Sequence, residues 1–280
     1  MGILEAVLLG VIQGVTEFLP VSSSGHLVLF QRIFGISEPA LLFDTMVHVG
    51  TLAAVFVVLR KDILDILRRP FQALTGFLIL ATLPAVIAAL LFNDAIERAF
   101  QFGSFLGFAF LLTSLALLVS EFLAKRSGHD QEAPEIKPAM DCLDALIIGV
   151  LQAAAIIPGV SRSGFTLSGA LSRRLDRDFA ARFSFLLSIP AILGALVFQL
   201  KDLAGGSAGQ AGDMAAGTVS GGIGAGAILA GSLSAAVVGF FSVRLMLKII
   251  RKRSLAGFAV YTAVLGTLVL IDRYGTHFFF

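Results

Sequence analysis

The sequence contains no tryptophan and few charged residues: only 14% of its 280 residues are Asp, Glu, Lys or Arg. A water-soluble protein of this length needs a larger polar surface than these residues supply, which excludes that class. The single cysteine, Cys142, excludes a disulfide within the chain. The formal net charge of +2 is too small to indicate nucleic-acid binding, so we expect no nucleic-acid partner.

Long apolar runs make up most of the chain instead. Hydrophobic residues account for 57% of it, and the mean hydropathy is +0.91. A helix needs about 20 apolar residues to cross the hydrocarbon core of a bilayer. Six runs approach that length: 41–59, 71–92, 100–123, 183–200, 223–243 and 255–271. The sequence therefore predicts an all-α integral membrane protein, with the bilayer as its partner.

Two further apolar segments are interrupted by polar turns that resemble each other. The turn at 22–25 (SSSG) is repeated at 161–164 (SRSG), at a constant offset of 139 residues. Each turn follows a proline, Pro20 in the first copy and Pro158 in the second. Such internal repeats, with a broken helix in each half, are typical of membrane proteins whose halves have inverted topology.

Basic residues give the predicted orientation. Clusters of lysine and arginine near 60–69, 125–137, 173–182 and 244–253 are assigned to the cytoplasmic side, where they also contact lipid headgroups. A re-entrant hairpin of two half-helices lets segment 141–172 begin and end inside, and by symmetry the first hairpin enters from outside. We therefore predict two inverted-topology repeats, each a re-entrant helix hairpin plus three transmembrane helices. The predicted boundaries are about 1–124 and about 140–272, within a single membrane domain of residues 1–280.

The two turns are expected to meet near the midplane of the membrane. Irregular backbone at that depth is tolerated where it is buried in protein or lines a wet cavity. A half-helix is predicted to begin after each turn, from Leu27 and from Thr166 onward, with serines as N-caps. Helix N-termini offer free N–H groups and a partial positive charge, which suit phosphate. Arg162 adds a planar set of donors, so the sequence predicts a phosphate site.

Several ionisable side chains near the turns are candidates for function, because their burial in a membrane is costly. Glu17, with Gln13 one turn away on the same helical face, could bind a divalent cation, act as a general base or bond to the turn amides. His26 could be an acid–base group, a nucleophile, a phosphate donor or a core histidine. His48 and Asp44 lie either in a second layer around the site or at the outer end of a helix.

At these residues the sequence resembles a known family. Residues 13–26 (QGVTEFLPVSSSGH) are similar to the (E/Q)xxxE signature and serine–histidine turn of the undecaprenyl pyrophosphate phosphatase family, the bacitracin-resistance type. Residues 158–166 (PGVSRSGFT) are similar to its second signature, PGxSRSxxT, and the resemblance covers essentially the whole chain. It implies hydrolysis of undecaprenyl diphosphate to undecaprenyl phosphate and inorganic phosphate. That reaction recycles the lipid carrier of peptidoglycan synthesis and confers bacitracin resistance.

The resemblance also implies site residues and surroundings. The catalytic residues would be Glu17, His26, Ser161 and Arg162. Phosphate would be bound by Ser22, Ser23, Ser24, Gly25, Ser163, Gly164 and Thr166. A divalent cation, Mg²⁺ or Ca²⁺, is implied with Glu17 and Gln13 as ligands, although many members carry glutamate where Gln13 stands. The protein would lie in the bacterial inner membrane as a multi-pass protein, with its active site open to the periplasm, and a homodimer is a further expectation.

A different class of function would use the same architecture. An anion transporter, or a flippase for the lipid phosphate, also relies on half-helix N-termini. Glu17 together with His26 favours chemistry, because a carrier needs no acid–base pair beside the phosphate. The sequence leaves the nucleophile open between His26 and a serine.

Overall fold

The computed structural model describes residues 1–36, 41–102, 105–126, 139–205, 218–219 and 223–279. Its helices are α1 (Ile3–Thr16), α2 (Ser23–Ile33), α3 (Leu41–Val58), α4 (Arg60–Arg68), α5 (Ala73–Phe102), α6 (Leu106–Arg126), α7 (Cys142–Ala154), α8 (Arg162–Ser172), α9 (Arg177–Gly205), α10 (Ala225–Lys252) and α11 (Ala256–Ile271). Two short strands, β1 (Thr218–Val219) and β2 (Ile223–Gly224), pair antiparallel before α10, and a π-helical turn, Asp272–Thr276, follows α11. The predicted all-α class is confirmed.

Six helices match the six predicted apolar runs. Within the described residues, α5, α6, α9, α10 and α11 are each long and apolar enough to cross a membrane. The sixth, α3, qualifies together with α4, which bends away from it by 78°. Large apolar side chains such as Leu90, Val197 and Leu233 are exposed on these helices, as expected where lipid replaces water. The chain is a multi-pass membrane protein.

Helix α4 is a feature that the sequence prediction did not include. None of its residues is buried, and its sequence places Leu64 and Leu67 among basic and acidic residues. This amphipathic pattern is typical of a helix that lies in the membrane interface. Asp62 accepts a hydrogen bond from Arg182 Nη1 at 3.0 Å, which ties α4 to α9. Arg182 belongs to the third basic cluster, which the sequence assigned to contacts with lipid headgroups. The structure shows that it also pairs with a carboxylate of the protein.

The two interrupted segments form pairs of short helices. Helices α1 and α7 have 14 and 13 residues, fewer than a full crossing requires. Helix α1 packs against α10 and α7 packs against α5, so each pair rests on a helix from the other half of the chain. Both contacts are too close for a side chain: a Cβ on Gly10 would overlap the Gly231 carbonyl, and one on Gly149 would lie 2.6 Å from the Ala81 carbonyl.

The order of elements fits the predicted repeats, with a helix pair followed by long helices in each half. The inverted orientation of the halves and their boundaries at 1–124 and 140–272 stay predictions. Residues 127–138, between the halves, lie outside the described part of the chain.

Candidate functional site

Serine caps fix the start of the second helix in each pair. The Ser22 hydroxyl oxygen accepts a hydrogen bond from the Gly25 amide at 3.2 Å, and Ser161 accepts one from the Gly164 amide at 3.0 Å. Each contact closes the first helical turn and satisfies one of its free amides. Ser22 and Ser161 are therefore the N-caps of α2 and α8, and the predicted use of serines as N-caps is confirmed.

Ser22 and Ser161 are the N-caps, so both helices begin at the residue that follows them, earlier than predicted. Helix α2 begins at Ser23 and α8 at Arg162, and not at Leu27 and Thr166. The predicted starts were wrong because the SSSG and SRSG segments were treated as turns. They are the first helical turn itself, so Ser23 and Arg162 project from helix N-termini.

An ion pair joins the two turns. Arg162 Nη2 donates to Glu17 Oε1 at 2.5 Å, across 145 residues of sequence. The other carboxylate oxygen, Oε2, accepts hydrogen bonds from Gln13 Nε2 at 2.9 Å and from the Ser23 hydroxyl at 2.5 Å. The side chains of Glu17 and Arg162 are only 3% and 17% exposed, so this pair is little screened by solvent. The structure thus places four predicted site residues in one bonded group.

Further bonds hold the turns together. The Gly159 amide donates to the Ser24 hydroxyl at 3.3 Å, and the Ser163 hydroxyl donates to the Leu19 carbonyl at 3.0 Å. Gly159 has a φ of +85°, a conformation that favours glycine. The Ser161 amide donates to Thr113 Oγ1 on α6 at 3.0 Å, a contact that the sequence gave no means to predict.

Two buried atoms of this group have no hydrogen-bond partner among the described residues. They are Arg162 Nη1, a donor, and Gln13 Oε1, an acceptor. Buried polar atoms are nearly always bonded, so an unpartnered pair of this kind points to an absent ligand or ion. The donor suits a phosphate oxygen, and the acceptor suits a cation.

His48 lies in a second layer around Glu17. Its Nε2 is 3.4 Å from Glu17 Oε2, and its Nδ1 is bonded to the Asp44 carbonyl at 2.6 Å. The Asp44 carboxylate accepts a bond from Gln31 Nε2 at 2.6 Å. Of the two alternatives left open, the structure therefore supports the second-layer role for His48.

Thr166 lies apart from the carboxylate. It is fully buried, and its hydroxyl bonds to the Arg162 carbonyl at 2.9 Å and to the Ser184 hydroxyl at 2.6 Å. These contacts fix the first turn of α8 against α9. A phosphate-binding role for Thr166 stays a prediction, and it would require these bonds to rearrange.

Both ring nitrogens of His26 are bonded within the protein. Nδ1 lies 2.7 Å from the Ser22 carbonyl, and Nε2 lies 2.7 Å from the hydroxyl of Tyr261 on α11. Within the described residues, no hydrogen bond joins His26 to Glu17 or Arg162. Sequence reasoning missed Tyr261. The available signal was a phenol within an apolar run, because its hydroxyl needs a partner there.

An apolar cavity lies beside the first turn and the N-terminal end of α11. Its volume is about 360 Å³. It is lined by Val15, Thr16, Leu19, Val21, Ser254, Gly257, Phe258 and Tyr261. Tyr261 therefore contacts both the cavity and His26.

Comparison with known proteins places the chain in a family. The sequence model of the family "Bacitracin resistance protein BacA" matches residues 6–268. The chain belongs to the BacA family. A relative named undecaprenyl-diphosphatase, from Carboxydothermus hydrogenoformans, is 44% identical over 271 residues, 97% of each chain. Another, undecaprenyl-diphosphatase 4 from Bacillus thuringiensis, is 41% identical over the full length of both. One from Methanosphaera stadtmanae is 37% identical over 97% of this chain and 98% of its own.

Glu17 and Gln13 are the side chains of this site that could help to hold a divalent cation. Among the described residues, no group of three or more His, Cys, Asp or Glu side chains could hold a metal ion. Gln13 Oε1 and the Glu17 carboxylate are nevertheless oxygen donors, the kind of ligand that hard cations prefer. Magnesium commonly uses one or two protein oxygens and takes the rest from water and phosphate. A cation that binds together with substrate could use these two oxygens, provided that the bonds from Gln13 and Ser23 to Glu17 rearrange.

Proposed function

We propose that the protein hydrolyses undecaprenyl diphosphate to undecaprenyl phosphate and inorganic phosphate. This activity would recycle the lipid carrier of peptidoglycan synthesis and confer bacitracin resistance. The observation that carries the proposal is Nη1 of Arg162, which is buried and has no hydrogen-bond partner in the described part of the chain. It lies beside an arginine–carboxylate pair at two capped helix N-termini. The names of the relatives and the membership of the BacA family support it.

Arg162 binds the terminal phosphate in this proposal. Nη1 donates to a phosphate oxygen while Nη2 stays on Glu17, so the guanidinium is already oriented when substrate arrives. The first amides of α2 and α8 add partial positive charge. Such preorganised charge stabilises the transition state more than the substrate, because charge builds on the phosphoryl oxygens during transfer.

Ser23 is the proposed nucleophile and Glu17 its base. The hydroxyl already donates to Glu17 Oε2 at 2.5 Å, the arrangement expected of an activated nucleophile. Ser23 Oγ attacks the terminal phosphorus and its proton passes to Glu17. The bond from that phosphorus to the bridging oxygen breaks, and undecaprenyl phosphate leaves with the proton that Glu17 took up, which restores the carboxylate. Glu17 then takes a proton from a water molecule that attacks the phosphoserine, and it returns this proton to Ser23 Oγ as inorganic phosphate is released.

His26 is less suited to be the nucleophile. Its Nδ1 and Nε2 are both bonded, so attack by either nitrogen would first break a hydrogen bond within the protein. Ser161 is also less suited, because its hydroxyl caps α8 and lies 3.3 Å from that of Ser163. These contacts favour Ser23 among the candidates that the sequence left open.

Mg²⁺ or Ca²⁺ is proposed as the cofactor, held by Glu17 and Gln13. A hard cation there would neutralise charge on the diphosphate. Its oxygen donors on the protein would be the Glu17 carboxylate and Gln13 Oε1. Gln13 carries no charge, so binding would depend strongly on the phosphate oxygens of the substrate.

The proposal includes the surroundings of the site. The apolar cavity beside Tyr261 suits a segment of isoprenoid chain. We propose the bacterial inner membrane as the location and an active site open to the periplasm, on the basis of the family of the chain and of the threading that the basic clusters predict. A homodimer and the absence of a nucleic-acid partner stay predictions from the sequence.

One assay separates this function from a carrier. Purified protein in detergent is supplied with undecaprenyl diphosphate and Mg²⁺, and released phosphate is measured. Undecaprenyl phosphate, which has no anhydride bond, serves as the control substrate. Phosphate release from the diphosphate alone supports the phosphatase. Binding of the diphosphate without phosphate release would contradict the phosphatase and favour a carrier.

A further inference from the structure

The contact between His26 and Tyr261 fixes the protonation pattern of the histidine ring. The Ser22 carbonyl can only accept a hydrogen bond, so His26 Nδ1 must carry a proton. In the neutral ring Nε2 is then an acceptor, and the Tyr261 hydroxyl donates to it at 2.7 Å. The Phe110 ring meets His26 edge-on at 5.4 Å, and the Tyr261 ring lies nearly parallel to it at 5.7 Å.

The Ser22 carbonyl, which accepts the hydrogen bond from His26 Nδ1, belongs to a residue with a strained backbone. Ser22 has a φ of +73°, which non-glycine residues rarely adopt. Its carbonyl receives both the backbone amide of His26, at 3.2 Å, and the Nδ1 proton. The conformation of Ser22 directs the chain into α2, where the next residue, Ser23, bonds to Glu17. Anything that holds the His26 ring therefore also holds the orientation of Ser23.

We infer that Tyr261 is a positioning residue that orients Ser23 through His26 and the Ser22 carbonyl. This inference rests on the proposed function, because it assigns Tyr261 a role in the same reaction. Tyr261 is 47% exposed, so packing alone does not explain its position, and its hydroxyl is satisfied by His26. In this scheme His26 acts mainly as a rigid donor to the turn.

Kinetics and spectroscopy of Tyr261→Phe test the inference together. Tyr274→Phe is the matched control, since it changes the other tyrosine, which is 67% exposed on the π-helical turn. We expect Tyr261→Phe to lower kcat about tenfold and to change KM less than about twofold, because one orienting bond to the turn is lost. Tyr274→Phe should match wild type in both constants. Thermal melting in detergent checks that both variants fold.

The spectroscopic readout is independent of hydrolysis. The chain has four histidines, so a protein labelled with ¹⁵N-histidine gives few signals, and His26→Asn identifies those of His26. The His26 Nε2 signal should shift in Tyr261→Phe and stay unchanged in Tyr274→Phe. A change in kcat without this shift, or the shift without a change in kcat, overturns the inference. If the wild type releases no phosphate, the proposed function is wrong, while the spectra still decide whether Tyr261 bonds to His26.

A second pair of variants distinguishes positioning from acid–base chemistry. Asparagine at position 26 keeps a donor where Nδ1 lies but cannot exchange protons. His26→Asn should therefore retain at least about tenfold more activity than His26→Ala, and adding Tyr261→Phe to His26→Asn should have no further effect. Equal loss in His26→Asn and His26→Ala would show that the ring is needed for proton transfer, and would contradict the inference.

Discussion

Arg162 and Glu17 lie 145 residues apart in sequence and form a buried ion pair at 2.5 Å. Each comes from a different half of the chain, so the site exists only when the halves pack together. Removing one partner leaves an uncompensated charge in a low-dielectric site, which is more damaging than loss of the bond itself. The consequences of this arrangement can be measured residue by residue.

Arg162→Ala should nearly abolish hydrolysis, because it should remove about 3–4 kcal/mol of transition-state stabilisation. Arg162→Lys should restore activity only in part, because a point charge cannot bond to Glu17 and phosphate in the fixed geometry of a guanidinium. Phosphate release in detergent measures both. Arg69→Ala, at an exposed position after α4, is the control and should match wild type. Near-normal turnover in Arg162→Ala would exclude the phosphate contact.

Ser23 should form a covalent phosphoenzyme. Rapid acid quench of wild type with labelled substrate should trap a phosphoserine, which survives acid, whereas a phosphohistidine does not. Ser23→Ala should give no label and lower turnover by about 10³-fold or more. Ser24→Ala is the neighbouring control and should keep the label. An acid-labile label lost in His26→Ala would assign the nucleophile to His26 instead.

Cation dependence should follow Glu17 and Gln13. Glu17→Gln should weaken binding of Mg²⁺ or Ca²⁺ sharply, because a carboxylate attracts a hard cation more than an amide does. Glu17 is also the proposed base, so turnover is lost in this variant and cation binding is measured by calorimetry in the presence of pyrophosphate. Gln13→Glu should preserve or strengthen activation, which is measured as turnover against cation concentration. Wild-type cation binding in Glu17→Gln would remove Glu17 from the cation site.

Close packing between α1 and α10 should be essential for stability. Gly10→Ala places a Cβ against the Gly231 carbonyl, where backbone must move, and should destabilise the protein by about 1–3 kcal/mol. Gly194→Ala is the matched control, since nothing lies within 4 Å of the added carbon and alanine favours helix. Thermal melting in detergent should show a lower midpoint for Gly10→Ala alone. Equal melting midpoints for Gly10→Ala and Gly194→Ala would mean that α1 and α10 can move apart to admit the added carbon without loss of stability.

Membrane orientation can be tested with reporters. Basic residues predict that both termini and the segments 93–99 and 201–222 face the periplasm. A reporter that is active only in the cytoplasm, fused after residue 280, should be silent. The same reporter inserted near residue 130 should be active. A signal at the C-terminus would contradict both the threading and the inverted arrangement of the halves.

Sequence alone determined the class of protein, the six long helices and the two interrupted segments. These features are local or compositional: hydropathy over about 20 residues marks a spanning helix, and a serine-rich turn marks a helix N-terminus without fixing which serine caps it. Gln13 and Glu17 could be paired because residues four apart share a helical face. The motif residues were recognisable for the same reason, since each signature is contiguous.

Tertiary structure decided which of those residues meet. Glu17 contacts Arg162 and His48 across 145 and 31 residues of sequence, and Tyr261 reaches His26 across 235. No periodicity within the chain encodes these pairs, because they depend on how α3, α6 and α11 pack around the two turns. The choice of Ser23 over its neighbours is of the same kind. The two turns contain five serines in similar local sequence, and only packing shows that one hydroxyl bonds to the carboxylate while the others cap a helix or join the turns.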